Sequence, residues 1–226
     1  MSENTQNNSH ETSERALSGI KSKWETILSI VVIAVIVLVV IFKLIGAIFG
    51  GNGYSINKKA MKALQEQKPK KILAYVPKDL TKEIMDYYDL DKDELNEAIE
   101  KANMLTTFNE VRKAEIIKIK ITDKNKITPK VMEKRKGTSA IQSLKTQLSV
   151  INEVWDTDDL KKIRMATLDV TLKENDGEKE KMQDNAFSVK YKGKWYSVDC
   201  MFFLVRAAEQ QVQRQIDMEK YPELFN

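Results

Sequence analysis

Histidine and cysteine, which carry much of the nucleophilic and metal-binding chemistry of proteins, each occur only once in this 226-residue sequence. His10 lies in a polar N-terminal stretch, and Cys200 lies far from it along the chain. Zinc sites and thiol or serine nucleophiles usually recruit imidazole or thiolate groups together. The sequence therefore predicts no Ser-His-Asp triad, no Cys-His dyad, no structural zinc site and no intrachain disulfide. We expect a protein that is not an enzyme and that needs no metal or other cofactor.

One run of acidic residues has the spacing of a calcium-binding loop. The first, third, fifth and twelfth places of an EF-hand need oxygen ligands, and here they are Asp89, Asp91, Asp93 and Glu100. The sixth place needs glycine for a sharp turn, but here it is Glu94. The alternative is a helix N-terminus in which Asp91 and Glu94 form a capping box. We favour this second interpretation.

Two further charged clusters are interpreted as exposed loops. Residues 153–159 include four acidic side chains that could act as paired carboxylates, but no histidine accompanies them. Residues 130–136 are rich in lysine and arginine, and the Lys-Gly-Thr that ends this stretch lacks the upstream glycine of a P-loop.

Aromatic side chains are the remaining candidates for a binding site. Five of them could line a cavity and bind an apolar ligand: Tyr87, Tyr88, Trp155, Trp195 and Tyr196. Aromatic residues at helical or strand spacing more often belong to an ordinary core. Both interpretations stay open at this point.

The overall charge does not indicate a nucleic-acid partner. The chain has 37 Lys and Arg against 33 Asp and Glu, a net charge of +4, whereas a dedicated nucleic-acid-binding domain is basic in a much more one-sided way. At roughly 100 to 200 residues per domain, the length predicts one folded unit.

An apolar stretch near the N-terminus predicts a transmembrane helix at residues 26–50. Residues 26–42 carry no charge, and a helix over 26–50 would be about 36 Å long against a hydrocarbon core of about 30 Å. Because no A-x-A cleavage site follows, we predict an uncleaved single-pass anchor in contact with membrane lipid. We predict that the protein lies in the cell membrane. The basic residues immediately before the helix favour an N-terminus on the cytoplasmic side.

The chain is therefore divided into four predicted regions. Residues 1–25 form a disordered cytoplasmic tail, because their polar composition offers little apolar surface to bury. The transmembrane helix at 26–50 follows, then a linker at 51–56. Residues 57–226 form an extracytoplasmic α+β domain that ends in a helix.

Hydrophobic periodicity predicts the elements of this domain. Four amphipathic helical segments occupy the stretch 57–105. Residues 115–122 alternate, with Ile117, Ile119 and Ile121 on one face of a half-buried strand. Another helix begins at Ser139.

The next predicted strand, at 162–173, changes phase along its length. Apolar residues occupy odd positions up to Met165 and even positions from Leu168 onward. An extra residue would return them to one face, so we predict a β-bulge near Ala166 or Thr167.

A hairpin is predicted at Lys192 and Gly193, which form a two-residue turn. This turn pairs Tyr191 with Lys194, Val189 with Tyr196 and Phe187 with Val198. A helix follows Asp199. Helices followed mainly by antiparallel hairpins indicate the α+β class.

The element order and the stretch FSVKYKGKWYSVD at 187–199 resemble the nuclear transport factor two-like superfamily, also called the cystatin-like α+β cone, in its membrane-anchored bacterial type. The resemblance covers about residues 57 to 200 and rests mainly on the K-G-K-W-Y hairpin. It implies a cone-shaped domain with helices packed on a curved, mainly antiparallel sheet, behind one transmembrane helix. No catalytic motif of the superfamily's enzymes is matched here, and membership defines fold better than activity.

These observations lead to two functional hypotheses. The first is a membrane-anchored, non-catalytic binding or scaffolding domain at the cell envelope, with a protein partner or self-association. The alternative is a bitopic structural component of a type IV secretion or conjugation-like export machine, which the layout of one span and one outer domain also resembles.

Overall fold

A computed structural model describes residues 52–102, 114–160, 162–174, 176–221 and 223. The chain divides into two compact units, Met1–Phe49 and Gly50–Asn226, and all described residues belong to the second. The predicted tail at 1–25 and the predicted transmembrane helix at 26–50 lie outside the described residues.

Helices dominate the first part of the described chain, as predicted. They are α1 (Tyr54–Glu66), α2 (Pro69–Leu73), α3 (Lys78–Tyr88) and α4 (Lys92–Lys101). Pro69 and the capping box of α4 mark two of their N-termini, since both devices satisfy or remove backbone donors that a first turn leaves unpaired. Helix α1 begins inside the stretch 51–56 that was predicted as a linker.

The acidic run before α4 forms a helix cap. Asp91 Oδ1 accepts from the backbone N–H of Glu94 at 2.8 Å, and Glu94 Oε2 accepts from the backbone N–H of Asp91 at 2.8 Å. The capping-box interpretation is therefore confirmed.

The remainder of the described chain contains four strands and three helices. The elements are β1 (Glu115–Ile127), α5 (Pro129–Lys134), α6 (Ser139–Asn152), β2 (Lys162–Lys173), β3 (Lys179–Tyr191), β4 (Lys194–Ser197) and α7 (Val198–Lys220). The strands form one antiparallel sheet in the order β1-β2-β3-β4. The described domain is thus an α+β fold.

The predicted fold class needs a correction, because it placed a transmembrane helix before this domain. Among the residues that the structure describes, no helix is both long enough and apolar enough to cross a membrane. Helix α7 has 23 residues, but Asp199, Arg206 and Glu209 interrupt its apolar positions. The predicted single-pass transmembrane architecture is therefore not supported by the residues that the structure describes. The predicted orientation and location depend on residues 1–50 and stay predictions.

The two ends of the sheet are buried on opposite faces. Successive side chains of a strand point to alternate faces. On β2, Met165 packs in a large cluster with residues of α7, whereas Leu168 and Val170 pack in a second cluster with Tyr54 and Met61 of α1. We call these the α7 face and the α1 face of the sheet.

This change of face explains the phase change in β2, and the predicted bulge near Ala166 or Thr167 is wrong. The register of β2 against β3 is unbroken over the whole pairing, from Lys162 opposite Lys190 to Lys173 opposite Lys179. The core moves from the α7 face to the α1 face along a regular strand, so no extra residue is needed.

The bulges lie in β1 instead. The register of β1 against β2 shifts between Ile116 and Lys118 and again between Ile121 and Asp123. As a result Ile117 is 40% exposed, and Ile116 takes the buried position that the alternation had predicted for Ile117.

The predicted hairpin is confirmed at its turn and corrected at its end. Lys192 and Gly193 have φ values of 43° and 84°, and Tyr191 and Val189 pair with Lys194 and Tyr196 as predicted. The third predicted pair does not form, because Val198 is already the first residue of α7. The N–H of Phe187 donates to Asp199 Oδ2 at 3.4 Å instead.

Candidate functional site

The part of the α7 face that no described helix covers carries the candidate site. Beyond Met165 the β2 side chains on this face are Thr167, Asp169 and Thr171, which are half-buried or exposed. A groove with a volume of about 380 Å³ lies here, between the ends of β1, β2 and β3. We call it the lysine groove. Its lining comprises Lys118, Lys120, Asp169, Val170, Thr171, Lys181, Met182 and Gln183.

The strand register arranges these side chains in two rows across the sheet. In the first row Lys118 and Lys181 flank Thr171, and in the second row Lys120 and Gln183 flank Asp169. Directly opposite residues in an antiparallel pair have Cβ atoms about 5 Å apart. Two lysines therefore stand on either side of a small hydroxyl side chain, with a third one row away.

Asp169 is held by neutral partners and not by a lysine. Its Oδ1 accepts from Gln183 Nε2 at 2.9 Å, and Thr122 Oγ1 lies 3.5 Å from the same oxygen. Thr122 Oγ1 also donates to the carbonyl oxygen of Thr167 at 3.3 Å. The bulge at Thr122 thus places a hydroxyl group beside the carboxylate.

The three lysines of the groove are exposed and make no hydrogen bond or ion pair with any described residue. Lys173 and Lys179 pair with each other across β2 and β3 in the adjoining row, opposite Glu115. Positive charge therefore exceeds negative charge on this part of the sheet. Such a surface attracts acidic partners and steers their approach.

The described residues next to this groove include no activated nucleophile. Cys200, in the first turn of α7, is fully buried in the core, and burial raises the pKa of its thiol far above the ordinary value. A buried neutral thiol is inert. Within the described ranges, no group of three or more His, Cys, Asp and Glu side chains could hold a metal ion.

Three of the five predicted aromatic residues lie among the helices or in their core. Tyr87 is 62% exposed at the end of α3, with its ring centroid 4.9 Å from that of Tyr88. Burial, with a smaller contribution from the charge of Glu209, raises the pKa of Tyr88 to about 12. Trp155 is buried and makes an edge contact with Tyr191, with centroids 4.9 Å apart.

The other two aromatic residues are neighbours on β4 and point to opposite faces. Tyr196 pairs with Val189 and packs against the helix-covered core. Trp195 pairs with Lys190 on the α1 face and lies near Arg164. None of the five lines the lysine groove, and an apolar-ligand role for them stays a prediction.

Sequence reasoning missed the lysine groove. Its only local signal is the alternation of isoleucine and lysine in residues 117–120, which indicates a half-buried strand and nothing more. The position of Lys181 opposite Thr171 depends on the pairing of β2 and β3, and the sequence pattern did not show that this end of the strand has its polar face uncovered.

Comparisons with protein-family models, with curated proteins and with solved structures found no match to this chain. The resemblance to the nuclear transport factor two-like superfamily therefore stays a prediction.

Proposed function

We propose that this chain is a non-catalytic binding domain that docks an acidic, extended segment of a partner protein in the lysine groove. The observation that carries this proposal is the set of three exposed lysines in the groove, Lys118, Lys120 and Lys181, which have no carboxylate partner among the described residues. An acidic segment would supply the missing negative charge.

The shape of the site supports an extended ligand. The groove is open and lies on strands, so side chains at every second position of a bound segment would face the same surface. Thr171 and Gln183 add neutral hydrogen-bonding groups between the lysines. These groups can donate hydrogen bonds to backbone and carboxylate oxygens of the bound segment, which adds direction to the attraction between charges.

A binding role also agrees with the chemistry that this site lacks. Asp169 is exposed and hydrogen-bonded to Gln183, and the one cysteine is buried away from solvent. These features support docking without turnover. The alternative hypothesis, a structural component of a secretion or conjugation machine, requires several partners at once and stays a prediction.

The test uses a fluorescein-labelled octaglutamate peptide and the purified 226-residue chain, with binding followed by fluorescence anisotropy. We expect saturable binding that weakens as salt is added, because exposed charges are screened over about 10 Å at 0.1 M ionic strength. The triple variant Lys118→Gln, Lys120→Gln and Lys181→Gln should bind at least about tenfold more weakly, a change of about 1.4 kcal/mol.

A matched control removes the same charge elsewhere. Lys58, Lys59 and Lys62 on α1 are exposed, and replacing all three with glutamine should leave the affinity within about twofold, because no contact with the groove is lost. Equal weakening by both triple variants, or no saturable binding at all, would overturn the proposal. Concentration-dependent self-association abolished by the groove variant would show a second copy as the occupant instead.

A further inference from the structure

A second cationic site lies on the α1 face, where Arg164 of β2 is held between two aromatic rings. Its guanidinium carbon is 5.3 Å from the ring centroid of Tyr54 and 5.5 Å from that of Trp195. Arg164 Nη1 donates to the hydroxyl oxygen of Tyr54 at 3.2 Å. These contacts restrict the position of the guanidinium before any ligand arrives.

The hydrogen-bonding capacity of this guanidinium is largely unused. Arg164 forms no ion pair with a described carboxylate, and its Nε is buried without a hydrogen-bond partner. Buried donors in proteins nearly always have a partner, and an arginine side chain has five N–H donors. Arg164 as a whole is only partly buried, so the terminal nitrogens of the guanidinium, and not the buried Nε, are the atoms that would meet an anion from solvent.

Three lysines surround Arg164 on the same face of the sheet. Lys126 of β1 stands directly opposite it, and Lys162 precedes it by two residues on β2. Lys190 of β3 pairs with Lys162 on one side and with Trp195 on the other. None of the three makes a hydrogen bond or ion pair with a described residue.

We propose that Arg164, with Lys126, Lys162 and Lys190, forms a binding site for a phosphate group. The planar fork of arginine matches the oxygens of phosphate in a bidentate geometry. A phosphate monoester carries a charge of about −1.5 to −2 near neutral pH, which suits four cations better than a single carboxylate does. Ser188, opposite Arg164 on β3, has its hydroxyl engaged with the carbonyl oxygen of Gly53 at 2.9 Å and takes no part.

This site is independent of the lysine groove, because the two lie on opposite faces of the sheet. Binding of inorganic phosphate and of phosphoserine to the 226-residue chain is measured by isothermal titration calorimetry. Binding of both indicates a site for free phosphate, and binding of phosphoserine alone indicates a site for a phosphorylated molecule. If neither inorganic phosphate nor phosphoserine binds saturably, the proposal is overturned.

Variants assign the binding to this cluster. Arg164→Gln should weaken binding at least about tenfold. Because Arg164 also packs against Tyr54 and Trp195, the exposed pair Lys126→Gln and Lys162→Gln provides a second variant that leaves those contacts in place, and it should weaken binding about threefold or more.

The matched control is the pair Lys118→Gln and Lys181→Gln, which removes the same charge from the opposite face. It should leave phosphate affinity within about twofold while weakening the octaglutamate peptide. Equal effects of the two lysine pairs on phosphate affinity would show diffuse charge attraction and would overturn the site. If phosphate binds but the octaglutamate peptide does not, only the function proposed for the lysine groove is overturned.

Discussion

Gln147 on α6 and Asp199 in the first turn of α7 are joined by a hydrogen bond of 3.0 Å from the Gln147 Nε2 to the Asp199 Oδ1. The other oxygen of Asp199 accepts from the N–H of Phe187 on β3 at 3.4 Å. One carboxyl group thus links two helices to the sheet. Burial, with a smaller effect from the nearby Asp184, raises its pKa from 3.8 to about 7.

Asp199→Asn should change the pH dependence of stability. The folded-state pKa lies above the unfolded value, so the folded protein binds more protons between about pH 4 and pH 7, and this group's contribution to stability falls as pH rises through that range. Asparagine cannot ionise. The variant should therefore gain stability relative to the original protein from pH 5 to pH 8, by about 3 kcal/mol, because about two pH units separate pH 5 from the folded-state pKa.

Urea unfolding at the two pH values measures this gain. Burial also raises the pKa of Asp184 on β3. Because the charge of Asp184 contributes to the raised pKa of Asp199, the measured gain includes the loss of the repulsion between these two groups. The exposed Asp169→Asn variant is the control and should show no such trend. A stability difference for Asp199→Asn that is the same at pH 5 and pH 8 would contradict the assignment.

Gly53→Ala should destabilise the start of α1. Gly53 has a φ of 79°, and an added Cβ would lie 2.9 Å from Trp195 Cε3 and 3.0 Å from Arg164 Cγ. Backbone strain and overpacking together should lower the free energy of unfolding by roughly 2 to 4 kcal/mol. Gly137→Ala is the control, because Gly137 has a φ of 102° but no atom within 4 Å of the added Cβ. Thermal denaturation measures the loss of stability in each variant. An equal loss for Gly53→Ala and Gly137→Ala would refute the contact with Trp195.

Asp91→Ala should remove the cap of α4. Asp91 accepts from the backbone N–H groups of Asp93 and Glu94 at 2.8 Å each, and loss of such a cap lowers the free energy of unfolding by about 1 kcal/mol. Asp93→Ala removes a neighbouring charge without removing the cap, so its effect should stay within about 0.5 kcal/mol. Equal losses in urea unfolding would argue against the capping box.

Cys200 should not react with a thiol reagent in the native protein. Its side chain is fully buried, and burial raises the thiol pKa. The reactive thiolate is thus scarce and out of reach. We expect no labelling by Ellman's reagent in buffer and stoichiometric labelling in guanidinium chloride, with Ser55→Cys on the exposed start of α1 as the reactive control. If Cys200 in the native protein is labelled as fast as the cysteine introduced by Ser55→Cys, the burial of Cys200 is contradicted.

Elements specified by neighbouring residues could be predicted before the structure was known. The capping box needs only Asp91 and Glu94, and the hairpin turn needs only Lys192 and Gly193, because in each case the interacting groups are four or fewer residues apart. The end of the hairpin could not be predicted in this way. There the N–H of Phe187 donates to the carboxyl group of Asp199, and Gln147 from another helix holds that carboxyl group in place.

The sequence by itself determined the α+β class, the helices of the first half, the hairpin and the absence of paired imidazole and thiol chemistry, because periodicity, turn residues and composition are local properties. Only the tertiary structure decided which face of each strand is buried. The switch from the α7 face to the α1 face along β2 depends on which helix covers each end of the sheet. That same packing leaves Lys118, Lys120 and Lys181 together in one groove and places Arg164 between Tyr54 and Trp195, through contacts between residues up to about 110 positions apart in the chain.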